Sequence, residues 1–157
     1  MGLIFLVVLI LQHSFANFMA IYGVKPNFIV IYIVFLSIKF GRLFGCIAGF
    51  FMGIIEDSLL TILFGLNALC KSFVGFIADN VHAGLIGNNL LDIGFLLFLA
   101  SLVHNFLYNW IYSFGADVSA IFLLFRFALP GALYTALIGM IITAIFPKSI
   151  QLRYEKP

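Results

Sequence analysis

Residues 41–57 read GRLFGCIAGFFMGIIED, and within them Gly41, Gly45, Gly49 and Gly53 recur at every fourth position of an otherwise apolar run. Residues four apart lie on one face of an α-helix. The spacing therefore predicts a nearly bare stripe along a helix over residues 43–55, against which a second backbone can pack closely. Lipid tails are as apolar as leucine, so helices in a bilayer associate through such small-residue faces and through polar contacts rather than by hydrophobic exclusion. Two occupants fit the stripe, another helix of this chain or a helix of a partner protein. Glu56-Asp57-Ser58 closes the stretch and reads as a polar break.

The rest of the chain has the same character. Of its 157 residues 64% are hydrophobic and 9% charged, with a mean hydropathy of +1.22, whereas soluble domains are about one quarter charged. The apolar runs lack the alternation of a membrane β-barrel, leaving helices as the way to satisfy the backbone in lipid. The fold class expected is all-α, a polytopic membrane bundle of about six helices in a single domain over residues 1–157. No linker or internal repeat is visible. The net charge of +2 comes from scattered basic residues, which excludes a nucleic-acid footprint. Cys46 and Cys70 sit in apolar stretches and read as small hydrophobes.

Outward from the glycine stretch, the first helix is read over residues 2–22 and ends at Gly23-Val24-Lys25-Pro26-Asn27, where proline and turn-forming residues break it. A second covers 28–38, and Lys39 and Arg42 separate it from the third. Residues 59–64 are too short to span and read as interfacial or re-entrant. A fourth helix covers 66–78, a polar connection 79–89, a fifth helix 90–112 and a sixth helix runs to Phe146-Pro147. Pro130-Gly131 removes a backbone hydrogen bond within the sixth and predicts a bend beside Arg126. With both termini inside, the cytoplasmic side holds Lys39, Arg42, Lys148, Arg153 and Lys156 and the outer side only Lys25, in accord with the positive-inside rule. The expected location is a membrane crossed several times.

At about 1.5 Å per residue, several polar groups reach similar depth in the outer half of the bundle: Gln12, His13, Asn17, Lys71, His104, Asn105, Asn109 and Arg126, bracketed by Glu56, Asp57 and Asp117. Ions in hydrocarbon cost at least about 2.5 kcal/mol each and so pair with one another or face a wet cavity. Asp57 or Glu56 is expected to pair with Lys71 or Arg126, tying helices three, four and six together. The histidines have no second ligand at metal-binding spacing, and no nucleophile–base set or phosphate loop appears. The reading is a non-enzyme without metal or cofactor.

These stretches resemble the MreD family, the rod-shape-determining membrane proteins of bacteria. The likeness lies in Pro26-Asn27-Phe28 opening an apolar helix, Gly49 to Asp57, Gly65-Leu66-Asn67-Ala68-Leu69, Gly75-Phe76, and Arg126 with Leu129-Pro130 in the last helix. Residue by residue, it marks Gly49, Gly53, Asp57, Gly65, Asn67, Arg126 and Pro130 as structural or interface positions. The resemblance implies a non-catalytic scaffold of the cell-elongation and peptidoglycan-synthesis machinery. Implied partners are an MreC-like single-span protein, the MreB filament, RodA and a class B penicillin-binding protein. It also implies a fold similar to the substrate-binding S-components of energy-coupling-factor vitamin transporters. A small-molecule binder is thus the alternative, with Ala16 and Ala20 as a small-residue docking pair and His104, Asn109 and Arg126 as ligands. A channel fits poorly, because the inner half of the helices is nearly all apolar.

Overall fold

The computed structural model describes residues 2–15, 18, 20, 23–60, 63–84, 90–115 and 118–145, and among these it is helical with no strand. Six helices follow in order. Helix α1 is Gly2–Ile10, running on as a π turn over Leu11–Phe15. Then come α2 (Phe28–Phe40), α3 (Arg42–Leu60), α4 (Leu66–Gly84), α5 (Leu90–Tyr112) and α6 (Ala120–Ile145). Helices α5 and α6 are long and apolar enough to cross a membrane. At 19 residues each, α3 and α4 measure about 28 Å at 1.5 Å per residue, close to the hydrocarbon thickness. Their polar residues lower their hydropathy.

Helix α2, of 13 residues, is the axis of the bundle. It packs against α3, α4, α5 and α6, and Ile29, Val30, Ile33 and Val34 are wholly buried. A helix surrounded on all sides is apolar all round, which explains why residues 28–38 show no polar face. The main core joins Val30, Ile31, Val34 and Ile38 of α2 to Val74 of α4, Leu96 and Leu97 of α5 and Ala136 of α6. A smaller core places Leu9 of α1 and Met52 of α3 against the other side of α2. Outward-facing Phe51, Leu43, Leu91, Ile121, Leu137 and Ile141 are all more than half exposed, an apolar periphery of the kind lipid covers.

Four expectations are corrected. Glu56-Asp57-Ser58 does not break a helix, since α3 runs through it to Leu60. Both carboxylates turn into the bundle, and the Ser58 hydroxyl donates back to the Ile54 carbonyl at 2.8 Å. Of the short interfacial segment expected over 59–64, Leu59 and Leu60 belong to α3, and residues 61–62 lie outside the described set. Helix α4 likewise runs past Ala78 to Gly84, taking in Asp79, which had been assigned to a loop. Gly41, expected on the glycine stripe, lies between α2 and α3 at φ +98°. Its role is to turn the chain in a left-handed conformation that a side chain would strain.

Pro130 lies two residues after a π turn over Leu124–Ala128. The missing proline N–H would leave one carbonyl of a regular helix without its donor; the wider turn redistributes those bonds, with the Leu129 N–H donating to Leu124. Ala16, Asn17, Asp117, Lys148, Arg153 and Lys156 fall outside the described residues.

Candidate functional site

The tightest part of the molecule is the antiparallel pair α3 and α4. Gly45, Gly49 and Gly53 all face α4. A Cβ on Gly49 would overlap the Lys71 carbonyl, one on Gly53 would overlap the Ala68 backbone, and one on Gly45 would stand 2.6 Å from the Gly75 oxygen. Gly75 answers from α4, where a Cβ would strike the Gly45 carbonyl. The stripe is thus met within the chain by a second one, Ala68, Ser72 and Gly75. That second stripe is legible in the sequence as small residues at helical spacing, but Lys71 in its midst disguises it. Behind the crossing, the Ser37 hydroxyl of α2 donates to the Gly75 carbonyl at 2.7 Å.

Close backbone approach brings polar side chains together at one end of this pair. Lys71, with no exposed surface, donates to the Glu56 carboxylate and, at 3.0 Å, to Asn67 Oδ1. Asn67 Nδ2 donates in turn to Asp57 Oδ1 at 2.9 Å. Asp57 also accepts from the backbone N–H groups of Gly65, Asn67 and Ala68 at 3.0, 3.3 and 3.1 Å. Those N–H groups form the first turn of α4, which has no partners within its own helix. A carboxylate there satisfies them and complements the helix dipole. Gly65, at φ +96°, makes the turn that aims α4 at Asp57. At the far end the relation is reversed: Asp79 of α4 accepts from the Arg42 N–H that starts α3, at 3.2 Å.

The expected ion pair is therefore formed by Glu56 and Lys71, while Asp57 acts as a helix cap. Arg126 is corrected out of the cluster. It is exposed, and its guanidinium lies over the Phe127 ring, 5.5 Å from the centroid. Depth along α6 is similar to that of Lys71, but the residue faces away from the bundle.

Beside the network is a cavity of about 360 Å³ lined by Gln12, Asn27, Glu56, Asn67, His104, Asn105, Tyr108, Asn109 and Phe127, with Lys25 exposed at its edge. Of the polar residues placed at one depth by the sequence it gathers Gln12, His13, Glu56, His104, Asn105 and Asn109, but not Asp57, Lys71 or Arg126. Gln12 clamps the entry to α2, accepting from Phe28 N–H at 2.8 Å and donating to the Pro26 carbonyl at 3.3 Å. Asn27 caps α2 through Val30 N–H at 3.0 Å, and its own N–H donates to buried Thr135 of α6 at 3.1 Å. Neither contact of the 23–27 turn was legible from spacing. Among the described residues no group of three metal-ligating side chains occurs.

The sequence matches the model of the family described as rod shape-determining protein MreD over residues 1–152. The chain belongs to that family. No curated protein and no solved structure matches it. Family membership and the two long apolar helices make this a membrane protein of rod-shape determination. The family is structural rather than enzymatic, and the closed Glu56–Lys71–Asn67–Asp57 network fits such a role, since its groups are consumed by one another.

Proposed function

We propose that the protein is a non-catalytic, six-span scaffold of the bacterial cell-elongation complex, docking the single transmembrane helix of an MreC-like partner. Its place is the cytoplasmic membrane, with both termini inside and the Gly41 turn carrying Lys39 and Arg42 on the cytoplasmic face. RodA, a class B penicillin-binding protein and MreB are the further members of the assembly in this reading.

The observation that carries it is the outer face of the α3–α4 pair. The glycine stripe is used inside the chain, so a partner needs another surface, and a groove of about 660 Å³ runs between the two helices on that side. Gly65 and Ala68 line it along with Phe50, Ile54, Leu69, Phe73 and Phe76, several of them around half exposed. Small residues beneath aromatic ridges suit close approach of a helix in lipid. The rigid hairpin holds the groove in shape.

The test is Leu69→Trp, which fills the groove from an exposed position without touching the α3–α4 crossing. Co-purification of the MreC-like protein from native membranes should be lost at unchanged abundance. Recovery of the partner at the wild-type yield, with equal recovery in Phe73→Ala, would remove the groove from the docking site.

A further inference from the structure

We propose that the 360 Å³ cavity at the end of the bundle binds a neutral, hydroxyl-bearing ring of the sugar class, presented free or as a lipid headgroup. The inference is independent of the docking groove, which lies on the outer face of α3 and α4.

His104 carries the argument. It is 4% exposed, lines the cavity, and neither ring nitrogen has a hydrogen-bond partner among the described residues. A neutral imidazole offers one donor and one acceptor, and leaving a buried polar group unmet costs about 1–3 kcal/mol. Pure packing would be served better by Phe or Leu at this position. His104 therefore brings an unmet donor and an unmet acceptor to the wall of the cavity.

Its remaining lining defines the chemistry. Asn105 follows His104 directly and Asn109 lies a turn further along α5, with Asn109 Nδ2 already donating to the Asn105 backbone carbonyl at 2.7 Å, so its Oδ1 is left to accept. Glu56 reaches the wall but is neutralised by Lys71. The other ionisable groups of the described lining are His13, whose Nδ1 lies 3.3 Å from the Leu9 carbonyl, and Lys25, exposed at the edge. An interior with no uncompensated charge disfavours a phosphate or a carboxylate and suits a ligand of hydroxyls. Tyr108 and Phe127 supply flat apolar faces for the C–H face of such a ring, and Tyr108 is held in place by stacking on His104, ring centroids 6.2 Å apart. The volume is at the lower end of the roughly 300–1,000 Å³ of small-molecule pockets, enough for one ring and too small for an oligomer.

The full chain in nanodiscs is examined by native mass spectrometry and thermal protection in two arms. In one, N-acetylglucosamine or glucose is added to phosphatidylglycerol discs, with glucose 6-phosphate as the charged control. In the other, the discs contain monoglucosyl-diacylglycerol. A neutral sugar retained in the first arm identifies a free ligand, and retention only in the second identifies a headgroup. In either case His104→Phe and Asn109→Leu should each weaken binding about ten-fold, while His104→Gln, which keeps a donor and an acceptor, retains most of it. Asn109→Leu, at a half-buried position, carries the test by itself if His104→Phe fails to accumulate. No retention in either arm would mean that water alone fills the cavity. That result, equal binding of glucose 6-phosphate, or binding unchanged in the variants would each overturn the proposal.

Discussion

Replacing Lys71 by Met isolates the worth of the buried pair. Lys71 is fully buried and the Glu56 side chain is 7% exposed, so solvent screens their interaction little. Met matches the length of the lysine stem and keeps its packing, but it leaves the Glu56 carboxylate buried without its cation and Asn67 Oδ1 without its donor. Breaking a buried pair from one side costs about 3–5 kcal/mol. For a chain of this size each kcal/mol lowers the unfolding midpoint by about 2–4 °C, giving a fall of roughly 6–20 °C. Removing the second charge as well should restore much of the loss. In Lys71→Met/Glu56→Gln the remaining deficit is the unmet Asn67 acceptor and a weakened amide contact, about 1–2 kcal/mol. The assay is the fraction of full-length protein still monodisperse after heating in mild detergent, measured for wild type, both single variants and the double. A midpoint within about 2 °C of wild type for Lys71→Met, or a double variant as unstable as the sum of the singles, would refute the reasoning that these two ions are mutually compensating.

Other outcomes follow from the same geometry. Gly49→Leu places a side chain into the Lys71 backbone and should lower abundance in the membrane as well as function; even Gly49→Ala should cost about 1–3 kcal/mol by overpacking, read as a reduced melting midpoint. Abundant, stable Gly49→Leu protein with lost co-purification would assign the stripe to a partner instead. Gly65→Ala meets no atom within 4 Å but must adopt φ +96°, so its cost is backbone strain of about 1–2 kcal/mol, and Gly65→Asn, which tolerates that region better, should be less affected in the same melt. Arg126→Met should change stability by less than about 0.5 kcal/mol, because the residue is exposed and stacks only on Phe127; a large loss would return it to the polar network.

The polar network was half legible. Ions in an apolar chain have to be compensated, and the acids at 56–57 and the lysine at 71 lie close to the same turn, so a pair between them follows from cost alone. Which acid takes the lysine depends on rotation about α3. Successive residues on a helix point about 100° apart, so Glu56 and Asp57 serve different purposes, one as counter-ion and the other as cap for the first turn of α4. Arg126 was misplaced for the same reason, since its depth follows from counting residues but its facing does not. His104 could be marked as an intramembrane polar group. That it lines a cavity with both nitrogens unmet could not be read, because the cavity is bounded by five other segments distant in sequence.

By itself the sequence determined the chemistry of the solvent, the number of helices and the turns at residues 23–27 and beside Gly41, because composition, proline, glycine and helix length act locally, whereas the polar residues at 56–58 and 79 were no guide to a turn. It also determined that α3 has a face open to close packing. Tertiary structure alone decided what fills that face, which carboxylate meets Lys71, and that α2 forms the buried axis. Those outcomes depend on how helices rotate and cross, which is settled when Gly45, Gly49 and Gly53 let α4 approach to backbone contact and carry its polar residues into register with Glu56 and Asp57.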